Sequence, residues 1–282
     1  MLATCALMLG ITATAVAQQP DSSVPPHLRD RGRGVRTSEF QTFIQRHQLL
    51  LLPSSAHIRD HNLEYNPLDW GYGNQTDLRG KFRSSSAQLL IAYGVTDWLA
   101  FELEGSYVSA RFERSPRDTT ATPALIRESG VGDFAGHARL RFAQERGRRP
   151  EIWGSLEVIP ANQKRKVLIG DKFRDLKGEI GLTRGFHFGT MTLRTTIERN
   201  HGDHHWDLGE TSLEYLRRLS PAWRILLALE GGESGALDEW VFVTAGQWRI
   251  ANGCYLKLAN AVGLAWKATD WEPQVGILWE IR

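Results

Sequence analysis

The stretch WLAFELEGSYVSARF, residues 98–112, is decisive for the fold class because acidic and apolar side chains alternate strictly along it. Glu102 and Glu104 stand on either side of Leu103, and Phe101 precedes them. A side-chain period of two is that of a β-strand with one apolar and one polar face. Such a strand occurs in a soluble sandwich, whose polar face meets water, and in a membrane barrel, whose polar face lines the lumen. The rest of the chain distinguishes between them.

Composition narrows the classes of protein. The 282 residues include 34 basic and 32 acidic side chains, a formal net charge of +2, so no nucleic-acid partner is expected. The chain also contains 27 Gly and 10 Trp, which serve turns, close strand packing and anchoring at membrane interfaces. No segment after the N-terminus has the roughly 20 apolar residues of a transmembrane helix. A membrane location therefore requires a closed barrel.

The N-terminus predicts export. Residues 1–17, MLATCALMLGITATAVA, are uncharged and end in the small-x-small pattern of a signal peptide, which predicts cleavage before Gln18. After cleavage only Cys254 remains, so neither an intramolecular disulfide nor a cysteine metal cage is expected. Residues 18–40 are rich in Pro, Ser, Arg and Gly and are predicted to form a flexible periplasmic leader. The expected location is the outer membrane of a Gram-negative bacterium.

Residues 41–282 contain about 12 segments of period two, an even number as bacterial single-chain barrels require. The segments are 41–52, 84–94, 97–112, 131–143, 150–160, 175–185, 189–199, 209–219, 222–232, 238–250, 253–266 and 271–282. Short connections alternate with longer ones, of which 53–83 is the longest. This alternation is typical of outer-membrane barrels, which have both termini on the short-turn side. The sequence therefore predicts an all-β fold, an antiparallel transmembrane β-barrel of about 12 strands.

Aromatic residues indicate the two rims of this barrel. Among the side chains on the apolar face of the segments, one aromatic group falls at the short-turn ends and a second group at the long-loop ends. The first group is Trp223, Trp248, Trp279 and Phe142, and the second is Trp240, Trp266, Trp271 and Tyr107. Two such rings are the expected interfacial girdles, so the apolar face predicts outer-membrane lipid as its partner.

The side chains on the opposite face of the segments are mostly polar, and this face is predicted to line the lumen. The predicted lumen-lining residues are Glu102, Glu104, His137, Arg139, Arg141, Glu157, Lys177, Glu179, Arg194, Glu198, Arg224 and Glu230. Charges in a narrow lumen must pair, so His137, Arg139 and Arg141 are expected to face Glu102 and Glu104 on the preceding strand. Asn260 falls on the lipid parity, which predicts a bulge between Lys257 and Val262.

Two blocks of sequence carry a family resemblance: AYGVTDWLAFELEGSYVSARF at 92–112 and SGVGDFAGHARLRF at 129–142. In these blocks and on to the C-terminus, over about residues 84–282, the chain resembles a family of outer-membrane barrels named for the MetA pathway of phenol degradation. The resemblance implies a channel or transporter-like barrel, without catalytic residues to carry across. Insertion is expected to involve the barrel assembly machinery. Barrel strands of this sort usually finish on an aromatic residue, whereas this chain ends in Arg282, which weakens that signal.

Other chemistry is sparse. The loop 201–205, HisGlyAspHisHis, has metal-ligating side chains, but consecutive loop residues seldom converge on one ion, so no metal or cofactor is expected. A lipid-acting enzyme would need a serine beside His137, for which Ser129, Ser155 and Ser212 are candidates outside any recognisable motif. Three hypotheses follow: a channel or transporter for small solutes, including hydrophobic or aromatic ones; a scaffold barrel filled by its own side chains; and, least favoured, that enzyme.

Overall fold

The computed structural model describes residues 35–37, 42–73, 78–161, 166–170, 174–200, 206–231 and 240–282. This part of the chain forms strands joined by turns and loops. The strands are β1 (Val35–Thr37), β2 (Thr42–Ile44), β3 (Leu49–Tyr65), β4 (Leu78–Gly94), β5 (Leu99–Glu113), β6 (Leu125–Ala143), β7 (Glu151–Ile159), β8 (Asp175–Phe186), β9 (Gly189–Asn200), β10 (Trp206–Arg218), β11 (Trp223–Gly231), β12 (Val241–Ala251), β13 (Cys254–Gly263) and β14 (Trp271–Ile281). In these ranges no helix is long and apolar enough to cross a membrane.

Strands β3–β14 form one closed antiparallel barrel of 12 strands, which confirms the predicted fold class. Each strand pairs with the next, and β14 closes the ring on β3, where Ile281 pairs with Leu49. Closure satisfies the ladder hydrogen bonds of every strand, as a spanning sheet in lipid must. The closing pair lies at the short-turn end, so both ends of the barrel sequence lie on that side.

The alternation along β5 separates the outside of the barrel from its lumen. Phe101 is 50% exposed and Leu103 is 48% exposed, whereas Glu102 between them is 1% exposed. The apolar side chains thus face outward and the acidic ones inward, which is the reverse of a soluble protein. Such an outer face requires lipid. At the short-turn rim Trp223 and Trp248 stack with ring centroids 5.5 Å apart, as an interfacial girdle requires.

Two local expectations were wrong. The predicted connection at 53–83 is mostly strand, because β3 continues to Tyr65 and β4 already starts at Leu78. These ends carry polar side chains on the outer face as well, so the apolar period is lost although the strands continue. The bulge expected near Asn260 is absent from β13, whose register with β12 and β14 runs unbroken from Lys257 to Val262. Asn260 stays on the outer face because the ladders on both sides hold that register.

Strands β1 and β2 form a small separate hairpin that is not part of the barrel wall. Val35, within the segment predicted as leader, and Ile44 are fully buried against lumen-facing residues at the short-turn end. The turn that follows approaches the end of β4, where a Cβ at Gly94 would overlap the Gln45 carbonyl oxygen. His47 in this turn has φ of 61°, and its N–H donates to the Gly94 carbonyl at 2.7 Å. The barrel wall therefore starts at Leu49, later than the predicted segment at 41–52.

Candidate functional site

A chamber of about 610 Å³ lies in the lumen, bordered by residues of β3–β10 and of the loop at 168–170. Its charged lining is mostly acidic. The carboxylates are Glu102, Glu104, Asp133, Glu157, Glu179, Glu198 and Glu210, and the lysine and arginine side chains are Arg139, Lys177 and Arg194. Among described residues the chamber wall thus has seven carboxylates against three permanent cations. A period of two places these groups inside, except Asp133, which lies at the bulge in the β5–β6 ladder.

Arg139 forms the first centre of an ion-pair network. Its Nε lies 2.8 Å from Glu102 Oε1 on the preceding strand, and its Nη1 lies 3.2 Å from Glu179 Oε2 on β8. The Ser155 hydroxyl donates to the same Glu179 oxygen at 2.8 Å. The guanidinium also lies 5.8 Å from the centre of the Trp153 ring. Arg139 thereby joins three strands of the wall.

Arg194 is the second centre and lies among four carboxylates. Its guanidinium is 3.3 Å from Glu179, 3.6 Å from Glu214 and 3.5 Å from Glu230, and it forms a further ion pair with Glu210. Because Glu179 contacts both arginines, the network runs continuously from β5 to β11. Such charges are stable in a narrow lumen only when paired.

The other predicted lumen residues pair locally or lie apart. His137 Nδ1 is 3.9 Å from Glu157, and Lys177 Nζ is 3.2 Å from Glu198. Arg141 Nε lies 3.4 Å from Glu151. These positions and Glu104 lie on the lumen side of their strands. Of the three basic residues expected to face Glu102 and Glu104, Arg139 forms an ion pair with Glu102, and His137 is the register partner of Glu102. Arg141 forms its ion pair with Glu151 on the following strand, where the His137 ring also approaches Glu157.

Arg224 lies outside the chamber, with its guanidinium 5.5 Å from the centre of the Tyr255 ring. Beside it the lumen face of β10–β12 is apolar, with Leu216, Leu226 and Ala228 buried together. Glu210 and Glu214 were not among the predicted lumen-lining residues, although both alternate with Ser212 along β10. That period-two signal was available. Their convergence on Arg194 depends on the register between strands.

The hairpin β1–β2 packs into the short-turn end of the lumen. Val35 and Ile44 pack against Leu50, Leu90 and Leu278, which point inward from three different strands. The contact is apolar, so burial of these two side chains holds the hairpin in place through the hydrophobic effect.

Aromatic side chains form a cluster at the long-loop end of β3–β6. Tyr65 stacks on Trp70 with centroids 5.0 Å apart, and both rings meet Phe112 edge-on at 4.7 Å. Val167 and Leu168, from the loop between β7 and β8, pack on the same cluster. Their backbone N–H groups donate to the Glu128 carboxylate, with Leu168 N at 2.8 Å from Oε2. We call this group the aromatic cap.

A buried carboxylate supports the aromatic cap. The Tyr65 hydroxyl donates to Asp118 Oδ2 at 2.8 Å, and the Thr120 hydroxyl donates to Oδ1 at 2.6 Å. Burial by itself raises the pKa of Asp118, but hydrogen bonds from Thr120, Tyr65 and Thr122 outweigh it and hold the pKa below its ordinary value. A group of this kind stabilises the folded state above its unfolded pKa, and that stability is lost as pH falls through the lowered pKa. At neutral pH the cap keeps this support.

The structure does not bring a serine hydroxyl next to His137, as the enzyme hypothesis requires. Ser155 donates to Glu179, Ser212 accepts from Arg194 Nε at 2.5 Å, and the Ser129 side chain lies on the outer face. Each candidate partner of His137 therefore has another neighbour or faces away. The loop at 201–205 lies outside the described residues, and no group of three or more potential metal ligands occurs in the part of the chain that is described.

A closed antiparallel barrel with an apolar outer face and aromatic rims defines a transmembrane β-barrel of the outer-membrane type. The structure is similar to that of an outer-membrane channel from Pseudomonas putida F1, with a TM-score of 0.60 and 14% identity over 84% of this chain and 97% of that chain. The likeness shows the fold. The translocator domain of autotransporter NalP from Neisseria meningitidis has a TM-score of 0.49 and 11% identity, over 83% of this chain and 88% of that one. No family model and no curated protein sequence matches the chain.

Proposed function

We propose that this protein is a channel of the Gram-negative outer membrane, exported by its signal peptide, which passes small solutes through the lumen chamber. The observation that carries the proposal is a chamber of about 610 Å³ that lies inside the barrel between the hairpin and the aromatic cap. The hairpin contributes no strand to the barrel wall, so its displacement leaves the ladders of β3–β14 intact. The blocks at 92–112 and 129–142 support a relation to the family named for the MetA pathway.

The chamber wall favours cations and neutral molecules as solutes. Seven carboxylates against three permanent cations lower the energy of a positive charge in the chamber, and rings of acidic side chains select cations in known pores. Phe82, Leu168 and Ile169 add apolar surface to the same chamber. A small neutral or cationic solute with an apolar portion fits both parts of this lining.

Displacing the hairpin is the first test. We expect Val35→Asp with Ile44→Asp to raise single-channel conductance severalfold in a planar bilayer, because two buried carboxylates cannot remain in the apolar contact. The matched control is Val35→Ile with Ile44→Val, which exchanges the two sizes and keeps the contact apolar. Conductance that stays absent in all three proteins would contradict the channel.

A second experiment tests whether ions cross the chamber. Lys177→Gln and Glu198→Gln each break the same ion pair, whose atoms are 3.2 Å apart, and they change the charge of the wall in opposite directions. We expect the reversal potential in a salt gradient to move toward cation selectivity for the first variant and away from it for the second. Shifts of the same sign, or no shifts, would show that the ion path avoids this wall.

A second candidate function is a scaffold barrel without transport, and the four carboxylates around Arg194 favour it. Such a lattice fills lumen space and supports the wall. For this function Lys177→Gln lowers the melting temperature, and neither wild type nor the hairpin variant conducts.

A further inference from the structure

Four arginines form a row across the outside of the barrel. Arg59 on β3 pairs in register with Arg83 on β4, Arg83 with Arg111 on β5, and Arg111 with Arg127 on β6. All four side chains are exposed and lie on the outer parity of their strands. We call this set the arginine row.

Repulsion within the arginine row destabilises the barrel when no anion is bound. Neighbouring strands lie about 4.7–4.9 Å apart, and like charges directly opposite each other are destabilising. Glu113 compensates one member, with an oxygen 2.6 Å from Arg111 Nη2. Among the described residues, Arg83 and Arg127 have no ion pair. At the other end of the row, Asp270 lies close enough to Arg59 to interact electrostatically. The uncompensated charge is therefore centred on Arg83 and Arg127, as on a surface that receives an anion.

The depth of the row relates it to the membrane surface. On β5 the outer face changes from Leu103 to Tyr107, which is 55% exposed, then to Ser109 and Arg111. Arg111 lies four residues beyond Tyr107, about 13 Å along the strand. Tyrosine marks the interface between hydrocarbon and headgroups. Because barrel strands are tilted by about 45°, the arginine row stands about 9 Å above the tyrosine level, at the outer edge of the headgroup layer. It lies on the long-loop side, which in outer-membrane barrels faces the outside of the cell.

Hydroxyl groups lie between this tyrosine and the arginines. His57, Ser85, Ser109 and Ser129 form the row below, again as register partners, and Ser85 Oγ is 2.9 Å from His57 Nδ1. A shallow groove of about 510 Å³ is bordered by this row and by three of the arginines, Arg83, Arg111 and Arg127. Glu128 also borders this groove, but its carboxylate accepts hydrogen bonds from the backbone of the loop at 167–168.

We propose that the arginine row binds the phosphate groups of an outer-leaflet glycolipid of the lipid A class. Guanidinium groups bind phosphate in a bidentate manner, and the hydroxyl row supplies further donors. The acyl chains of such a lipid would lie against the apolar face below Tyr107. The groove is on the outside of the barrel, so this site is independent of transport through the lumen.

Binding to folded protein in detergent tests the proposal, with bisphosphorylated lipid A and fully dephosphorylated lipid A as probes. We expect Arg83→Gln with Arg127→Gln to weaken binding of the phosphorylated lipid at least tenfold, and to leave the dephosphorylated lipid unaffected. The control is Arg146→Gln with Arg148→Gln, the same charge change in an exposed turn at the other end of the barrel. Its affinity should equal that of wild type.

Glu113→Gln tests the site by a gain of lipid binding, which a loss of folding cannot imitate. It frees Arg111, so phosphorylated lipid A should bind severalfold more tightly. Equal affinity of wild type for the two lipids, or an equal loss in the Arg146 and Arg148 control, would overturn the proposal. Inorganic pyrophosphate that binds as tightly as phosphorylated lipid A would also overturn it, because the site would then recognise a free anion.

Discussion

Arg194→Met is expected to lower the free energy of unfolding by about 3–5 kcal/mol, the cost of removing one partner from a buried ion pair. The guanidinium lies among Glu179, Glu210, Glu214 and Glu230, and both Glu179 and Glu214 have nearly fully buried side chains. Without Arg194, like charges remain close together in the lumen. Urea unfolding in phospholipid vesicles, followed by tryptophan fluorescence, measures the loss.

Two controls separate this effect from a general loss of an arginine. Arg148→Met removes an exposed charge in the turn between β6 and β7, and its effect should stay within about 0.5 kcal/mol. Arg194→Met combined with Glu214→Leu removes the cation with its most buried partner and should recover at least about 1 kcal/mol of the loss. If Arg194→Met costs no more than Arg148→Met, water in the lumen screens the network, and it does not hold the wall together.

Leu103→Arg should destabilise the folded barrel by about 2–4 kcal/mol in bilayers, the cost of a lipid-facing arginine near the membrane midplane. Leu103 points outward between its register partners Ile91 and Gly136, so an arginine there meets hydrocarbon. The measurement is reversible unfolding from liposomes.

Ser109→Arg is the matched control for depth, since it adds the same side chain to the same face of β5 beyond Tyr107. Its cost should fall to about 0–1 kcal/mol, as at the membrane interface. Equal costs for Leu103→Arg and Ser109→Arg would contradict the membrane position assigned to this strand.

Much of the architecture could be predicted from local pattern. The alternation around Glu102 and Leu103 predicts a strand with one polar face, and the same period in about 12 segments, with alternating loop lengths, predicts the closed barrel. These predictions rest on neighbouring residues along one strand. They fail where the outer face becomes polar, as beyond His57, because a strand that leaves the membrane no longer needs an apolar side.

The sequence by itself therefore determined the fold class, the inside and outside of the segments with an apolar period, and the charged lining of the lumen on β5–β9. Tertiary structure alone decided which charges meet, because the contacts of Arg194 depend on the stagger of four consecutive strands, β8–β11. It also decided that Val35 and Ile44 enter the lumen, and that four arginines separated by 16 to 28 residues come into one row. The physical reason is that side-chain direction follows from a local period of two, whereas the register between strands also depends on turn geometry and on bulges, which decide which residues lie opposite each other.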